Sequence, residues 1–460
     1  MLHNKRSPKR RNKKNNKIYK SMKKYLTLLA GAMFLTACYN DADDIASSDG
    51  YQPSQEAVSF DVATQDATIT RAVTGEITNA GLQSLSTLTF ATHPSATAGL
   101  RGFGAFASYT GRNRYESTTV APDFMYNQQV IYGTSAWEYN PVKYWPNDEY
   151  EYISFFAYAP YEPAPANDGR CIIDMSKNDE DGDPNVVYRI SEDPWDTDGD
   201  EKTEPQVDLM YGFNNTTATA QKPWYDQNRK DYGVNPSVKR LTYTFAHALA
   251  CFANEVTLKI TPELCALLNG YSTVKINSFT ITYNDLTSKA RLVLNPLIDN
   301  VTIGGNAQQI VQPNWKQIVS GEVTTTRTTG EITKFPTANA ATALADMAID
   351  LTDATEQYKI SEDRGLFYIP MKVLGAAAPT VTVTLNYTIT VTATGDEFTS
   401  DATASIDLPL TYELPSTEKV SAAGYKFGLE LRLSKDLDLL HQVYVLGGTA
   451  TDPSYSRELK

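Results

Sequence analysis

Alternation of apolar and polar residues dominates the chain from about residue 57 onward. In Val381–Thr392 every odd position is apolar and every even position is Thr or Asn. The stretch 426–434 repeats the pattern, with Phe427, Leu429, Leu431 and Leu433 on one side. A period of two places successive side chains on opposite faces of a strand. The pattern therefore predicts β-strands with one face on a core and the other toward water.

Local signals add expectations about individual elements. Residues 57–62 alternate and predict a strand. Phe279–Tyr283, the turn residues Asn284 and Asp285, and the apolar positions Leu292 and Leu294 predict a hairpin. Pro409 lies inside an alternating stretch, and because proline cannot donate to a ladder, that strand is expected at a sheet edge.

Helical signals are few. Residues 261–270 begin with Thr and Pro and end with Gly, which predicts one short helix. The Ala-rich stretch Ala338–Leu351 predicts a second. Many strands at short spacing with few helices favour an all-β protein built of β-sandwiches over a parallel α/β sheet.

The length of 460 residues predicts two folded domains, at about 100–200 residues per domain. A polar run followed by Gly233–Ser237 precedes a new apolar stretch. We therefore expect an N-terminal β-sandwich domain over residues 57–235 and a C-terminal one over 236–460.

The N-terminal region predicts export. Lys23 and Lys24 precede an apolar run, Tyr25–Leu35, that is too short to span a bilayer, which takes about 20 residues. Residues 1–37 are interpreted as a signal peptide whose true start could be Met22. Leu35–Cys38 is similar to a bacterial lipobox, in which the cysteine is lipidated; the alternative is an ordinary secretion signal with an incidental Cys38. Residues 38–56 are acidic and small, which predicts a flexible tether.

Charge argues against nucleic-acid partners. The chain has 41 Lys and Arg and 54 Asp and Glu. Loss of residues 1–37 removes eleven basic residues and no acidic one, which leaves 30 basic against 54 acidic side chains. A surface this acidic repels the phosphate backbone of nucleic acids and the headgroups of anionic lipids. Attachment to the membrane is therefore assigned to the lipid on Cys38.

Three further cysteines leave a choice open. Cys171, Cys251 and Cys265 are an odd number, and no CxxC motif occurs. A disulfide between Cys251 and Cys265 is one interpretation, and buried free thiols are the favoured one.

No catalytic or metal-binding constellation emerges. The four histidines, His3, His93, His247 and His441, lie far apart in the sequence and away from cysteines. His247 sits in an apolar run and is interpreted as a hydrogen-bonded core residue rather than a base. We predict no catalytic residues, no metal site and no cofactor, and hence not an enzyme.

The acidic stretch 178–200 is similar in part to the start of a calcium-binding loop. Asp196, Asp198 and Asp200 alternate, but a loop counted from Asp196 has Glu201 at the sixth position and Val207 at the twelfth. An EF-hand needs Gly and Glu there. A solvated acidic loop is therefore favoured.

Aromatic residues concentrate between Phe124 and Tyr161, where 13 of 38 residues are aromatic, against 11% for the chain. Buried rings fill cores, each covering about 150–250 Å², and this interpretation is favoured. In the alternative, Trp137 and Trp145 form a platform on which sugar rings stack. The chain would then be a monomeric surface lipoprotein that binds glycans.

The aromatic segment also carries a family resemblance. Together with residues around it, it resembles the fimbrillin-like (Mfa-like) proteins of Bacteroides and its relatives. The matching motifs occur in order over residues 58–250, downstream of the lipobox-like sequence. They are Ile69–Ala72, Met125–Gln128, Trp137–Tyr139, Pro141–Pro146, Ser154–Tyr161, Asp208–Gly212 and Phe245–Leu249.

The resemblance implies a subunit of a type V pilus, exported as an outer-membrane lipoprotein and displayed at the cell surface. It implies two transthyretin-like β-sandwich domains in tandem, other pilus subunits as partners, and a host or bacterial surface receptor as a further candidate. In such pilins a protease cuts after an arginine, here between Arg71 and Ala72. The removed strand would carry Val58, Phe60 and Val62, and the donor strand of the next subunit would carry Val443 and Val445.

Overall fold

The structure is a computed structural model, and all its described strands and its described helix lie in one compact unit, Pro53–Lys460. The residues it describes are 50–63, 82, 102–163, 165–166, 171–190, 206–214, 222–231, 240–268, 272–284, 286–303, 306–318, 326–327, 330–333, 348–349, 358–362, 366–371, 380–393, 396–409, 421–445 and 457–458.

Twelve strands are described up to residue 247. They are β1 (Pro53–Ala57), β2 (Phe60–Val62), β3 (Phe103–Gly111), β4 (Met125–Tyr132), β5 (Trp137–Glu138), β6 (Tyr144–Pro146), β7 (Tyr152–Ala159), β8 (Ile172–Met175), β9 (Asn185–Arg189), β10 (Met210–Asn214), β11 (Trp224–Gln227) and β12 (Leu241–His247). Eight of them form one sheet, here called the N-terminal sheet, in the order β2-β12-β10-β7-β3-β4-β5 with β11 also paired to β7. β1 pairs with β6 in a separate two-stranded sheet.

The remaining described elements are one helix and fifteen strands. They are β13 (Ala250–Ile260), α1 (Pro262–Leu268), β14 (Ser272–Asn284), β15 (Leu286–Thr287), β16 (Lys289–Ile303), β17 (Asn306–Lys316), β18 (Thr326–Arg327), β19 (Gly330–Thr333), β20 (Ala348–Ile349), β21 (Tyr358–Glu362), β22 (Leu366–Tyr368), β23 (Thr380–Ala393), β24 (Asp396–Pro409), β25 (Lys426–Leu433), β26 (Leu439–Val445) and β27 (Arg457–Glu458).

These strands form three larger sheets. One has the order β21-β13-β25-β26-β27 with β22 also on β13, and a second has the order β19-β14-β23-β24 with β20 also on β14. The third, β17-β16-β9-β8, combines strands from both halves of the chain. The all-β, β-sandwich class is thus confirmed.

The strongest alternating stretches form strands as predicted. In β23 the side chains of Val381, Val383 and Leu385 are fully buried, and the intervening residues are half-buried. The four predicted inward residues of β25 are all buried. β24, which ends at Pro409, lies at a sheet edge among the described strands, which confirms that prediction.

The predicted first helix is also confirmed. α1 begins at Pro262, and Thr261 caps it: its side-chain oxygen accepts a hydrogen bond from the backbone N–H of Leu264 at 3.3 Å. Of the second predicted helix, Ala338–Leu351, only Ala348–Ile349 are described, and they form strand β20.

The predicted hairpin is wrong. β14 pairs with β23 through twelve residue pairs, including Tyr283 with Val381, and β16 pairs with β17 and β9. The short strand β15 separates the two long strands, which enter different sheets. Alternation identifies the strands themselves, but it carries no information about which strand is the neighbour.

The predicted domain division at 235/236 stays a prediction. β12 lies beyond that point, yet it pairs along its length with β10 of the N-terminal sheet, as in Gly212 with Phe245. Pairing also crosses that point in the sheet β17-β16-β9-β8, whose strands β8 and β9 precede it and whose strands β16 and β17 follow it.

Candidate functional site

The segment 53–63, here called the leader strand, is built into two sheets at once. β1 pairs antiparallel with β6, from Pro53 opposite Pro146 to Ala57 opposite Tyr144. β2 pairs parallel with β12, with Phe60 opposite Leu241. Because β2 is the first strand in the order of the N-terminal sheet, the leader strand forms an edge of that sheet.

Backbone hydrogen bonds continue between and beyond these pairings. The Val58 N–H donates to the Lys143 carbonyl at 2.9 Å, the Leu241 N–H donates to the Ser59 carbonyl at 2.8 Å, and the Ala63 N–H donates to the Tyr243 carbonyl at 2.7 Å. Loss of the leader strand would leave these partner groups on β12 and beside β6 unpaired, and unpaired edges invite a new strand.

Phe60 is the anchor of the leader strand. Its side chain is 1% exposed and lies among four rings, at centroid distances of 5.9 Å to Phe103, 5.4 Å to Tyr139, 6.0 Å to Phe155 and 6.2 Å to Tyr243. The first three contacts are edge-on and the last is stacked, which are the geometries aromatic pairs favour. We call these four rings the aromatic cage.

Val58 and Val62 flank Phe60 and are also buried, at 1% and 4% exposure. The residues between them, Ser59 and Asp61, are half-buried. The leader strand therefore puts three apolar side chains into the core, as the alternation predicted.

Tyr139 fastens the backbone of the leader strand. Its hydroxyl donates to the Val58 carbonyl at 2.8 Å, with the Lys143 carbonyl also 3.2 Å away, and it accepts from the Lys143 N–H at 3.3 Å. The Tyr139 side chain thus contributes both a ring that packs against Phe60 and a hydrogen bond to the backbone of the leader strand.

Two ion pairs lie beside the leader strand. Arg229 Nη1 lies 3.5 Å from Glu56 Oε1, and Arg240 Nη1 lies 3.8 Å from Asp61 Oδ2. Such partly exposed pairs contribute at most about 1 kcal/mol. The two arginines therefore favour acidic residues at positions 56 and 61 of the leader strand.

Replacing Tyr139 by Phe is expected to loosen the leader strand while keeping the aromatic cage. The variant loses the hydroxyl that bonds Val58, at a cost of about 1 kcal/mol. We expect a lower urea midpoint and faster amide exchange at Val58 and Ser59. Tyr126→Phe, at a ring that is 40% exposed, is the control and is expected to leave both unchanged. Equal effects of the two changes would contradict the assigned role.

The strands behind the aromatic cage are held by a polar network. Tyr158 on β7 is fully buried, and its hydroxyl donates to Asn127 Oδ1 at 2.7 Å. Asn127 in turn donates to the Glu162 carbonyl at 2.9 Å. Burial raises the pKa of Tyr158, so its hydroxyl stays protonated as a donor. These bonds join β4, β7 and the loop after β7.

Trp137 and Trp145 are core residues. Their side chains are 6% and 3% exposed. Trp137 packs at 5.3 Å from Phe103 and at 5.5 Å from Tyr132, and Trp145 packs edge-on at 5.8 Å from Phe155. Neither presents a free ring face to solvent, so the glycan-binding alternative gains no support from these two residues.

Other candidate residues have structural partners. His247 Nδ1 lies 2.8 Å from Asp208 Oδ2, which fits the hydrogen-bonded interpretation. Cys171, Cys251 and Cys265 are not joined in a disulfide, which agrees with the favoured interpretation; Cys171 and Cys251 are buried, and Cys265 is half-buried. Within the described residues, no group of three or more His, Cys, Asp and Glu side chains could hold a metal ion.

The candidate donor residues Val443 and Val445 lie in β26, which is itself paired. β26 runs antiparallel to β25 from Leu439 to Val445, with Val443 opposite Leu429 and Val445 opposite Phe427. Val443 also packs against the core. For β26 to enter another subunit, it would first have to leave this sheet.

Several predicted features lie outside the described residues. They are Cys38, Arg71, Ala72, most of the tether and the acidic stretch 196–200. In the part of the chain that the structure describes, the helix α1 is too short to cross a bilayer.

Sequence reasoning named the leader strand but missed what holds it. Tyr139, Tyr243, Arg229 and Arg240 were not singled out. Tyr139 lies in the aromatic segment and Tyr243 in the alternating stretch 241–247, so both carried a core signal. Arg229 and Arg240 carried no such signal, because the sequence does not distinguish an isolated arginine that forms an ion pair from one that is simply exposed to solvent.

Comparisons with known proteins point to one group. No family model matches the chain. The chain is 34% identical over 91 residues to fimbrium subunit Fim1C of Phocaeicola vulgatus, a match over 19% of this chain and 24% of that protein. The match thus spans about a quarter of the length of that relative.

A crystal structure of a fimbrial protein from Bacteroides vulgatus has a similar fold. The TM-score is 0.54 at 18% identity, with 85% of this chain and 99% of that chain covered. The chain is thus an all-β protein with the fold of a fimbrial protein. The two matches together support the fimbrillin-like family that the motifs over residues 58–250 indicated.

Proposed function

We propose that the chain is a structural or adhesive subunit of a cell-surface type V pilus. It is exported as a lipoprotein through Cys38, activated by cleavage after Arg71, and assembled with other fimbrillin-like subunits by strand exchange. The fimbrial relatives support the subunit role, and they give no reason to assign a catalytic activity.

The observation that carries the proposal is the seating of the leader strand. Phe60 is buried in the aromatic cage, yet the strand that bears it lies at a sheet edge and ends nine residues before Arg71. Cleavage there would leave the strand attached by noncovalent contacts alone. A strand from another subunit could then replace it and restore both the edge hydrogen bonds and the core.

The intact leader strand acts as a lock in this scheme. While it is covalently attached, its effective concentration at the groove far exceeds that of any other strand. Lipid on Cys38 would hold the locked precursor at the outer membrane. Cleavage removes the advantage of attachment, so assembly follows export rather than preceding it.

Arg71→Ala is expected to abolish pilus assembly in the producing cells, because the leader strand stays attached. Immunoblots of mildly heated cells should lose the ladder of multimers, and the recovered N-terminal residue should be lipidated Cys38 instead of Ala72. Arg101→Ala, at the next arginine in the chain, is the matched control and should leave the ladder intact. An unchanged ladder in the Arg71 variant would rule out activation at this site.

A further inference from the structure

The space occupied by residues 53–63, here called the acceptor groove, is shaped and charged for one kind of strand. We infer that it selects an extended segment with an aromatic residue in the place of Phe60 and acidic residues in the places of Glu56 and Asp61. Such a segment belongs to a different subunit rather than to β26 of a second copy. This inference rests on the proposed strand exchange.

The aromatic cage makes the central position selective. Phe60 touches four rings that come from four separate elements: Phe103 on β3, Tyr139 after β5, Phe155 on β7 and Tyr243 on β12. Three of these elements are paired on the same sheet, so the rings cannot all move inward around a smaller side chain. An aliphatic or small residue would leave a void, and voids of that size strongly weaken packing.

Charge makes the flanking positions selective. Arg229 and Arg240 lie 3.5 Å and 3.8 Å from the carboxylates of Glu56 and Asp61. The acids stand four residues before and one residue after Phe60. Partly exposed pairs add little affinity, but basic residues in those places would face an arginine directly, which excludes wrong partners.

β26 does not meet these requirements. Tyr444 is its only aromatic residue, and placing it where Phe60 lies would bring Gln442 into the buried place of Val58. Placing Val443 there instead would leave the cage underfilled. In neither register does a carboxylate reach the two arginines.

Direction adds a further requirement. β2 runs parallel to β12, with Phe60, Asp61 and Val62 opposite Leu241, Thr242 and Tyr243. A replacing strand that reuses the same backbone partners must enter in the same direction. The partner segment is therefore parallel to β12, with one acidic residue four positions before its aromatic residue and the other directly after it.

The test uses the full chain with a specific protease site placed between residues 64 and 70. After cleavage the leader strand remains bound, and synthetic peptides compete for the acceptor groove against a fluorescent peptide of residues 53–63. Five competitor peptides are used. The parent peptide has residues 53–63 unchanged, and three variants of it carry Phe60→Ala, the double change Glu56→Lys and Asp61→Lys, or Gln55→Ala. The fifth peptide has residues 436–446.

The unchanged peptide should displace the labelled one, and Phe60→Ala should weaken it by about a hundredfold or more. The double lysine change should weaken it by roughly tenfold, less so at high salt. Gln55→Ala, at an exposed position, should bind as the parent does. The 436–446 peptide, which contains all of β26, should compete at least about a hundredfold more weakly than the parent.

Two results would overturn the inference in distinguishable ways. If the 436–446 peptide or the Phe60→Ala peptide competes as well as the parent, the groove is not selective, while strand exchange still stands. If the labelled peptide never replaces the leader strand in the cleaved protein, strand exchange itself fails and the selectivity fails with it.

Discussion

Gly102→Ala should destabilise the protein by about 2–4 kcal/mol, because the site excludes a side chain in two ways. Gly102 has φ +74°, a conformation that residues with a Cβ avoid. An added Cβ would also lie 1.8 Å from the carbonyl oxygen of Val130. That oxygen belongs to the backbone of β4, which is paired with β3 at the next residue, Phe103 opposite Val130. Relief would require the two strands to separate, and the loss should show in the urea midpoint.

Gly111→Ala is the matched control for the steric part. Gly111 also has positive φ, +58°, but an added Cβ would meet only the Tyr109 hydroxyl at 3.8 Å, an ordinary contact. We expect a loss of about 1–2 kcal/mol from backbone strain alone. If Gly102→Ala costs no more than Gly111→Ala, the close approach of β4 to residue 102 is not as the structure describes it.

Local features of the fold could be predicted from the sequence because they depend on neighbouring residues. The alternation in β23 and β25 fixes which side chains are buried, and Pro409 marks an edge because it lacks a donor. Thr261 and Pro262 set the start of α1 for a similarly local reason. Each of these depends on chemistry within a few residues.

Strand partners could not be predicted in the same way. β14 finds its partner β23 about a hundred residues later, and β9 pairs with β16 across a similar distance. Any of the Thr-rich alternating strands offers the same edge to a neighbour, so alternation alone does not choose between them. The wrong hairpin between β14 and β16 and the pairing of β12 with the N-terminal sheet both follow from this.

The buried residues of the leader strand could be predicted from the sequence, but the residues that surround them could not. The family resemblance named Val58, Phe60 and Val62, and alternation placed them on one face. The aromatic cage is assembled from residues far apart in the sequence: the sheet order β2-β12-β10-β7-β3 brings three of its rings to Phe60, and Tyr139 joins them from the segment after β5. The parallel direction of β2 and the two flanking arginines likewise need the tertiary structure.

Phe60→Ala in the full, uncut chain should cost about 3–5 kcal/mol, the range for emptying a buried aromatic site. The side chain is 1% exposed and contacts all four rings of the aromatic cage. Thermal and urea unfolding measure the loss. Phe398→Ala is the control, since Phe398 on β24 is 64% exposed, and it should change stability by less than about 0.5 kcal/mol.

The same variant separates a lock from an ordinary core residue. If Phe60 holds the leader strand in place, its loss should free that strand before the rest of the sheet opens, because the strand is at an edge and its other pairings are short. Amides of Leu241 and Tyr243 on β12 should then exchange faster than those of Phe156 and Tyr158 on β7, and uncut protein should form multimers at high concentration. Uniformly faster exchange with no multimers would assign Phe60 to general core stability. Selective opening would instead mean that one aromatic side chain keeps the sheet edge closed until the chain is cut.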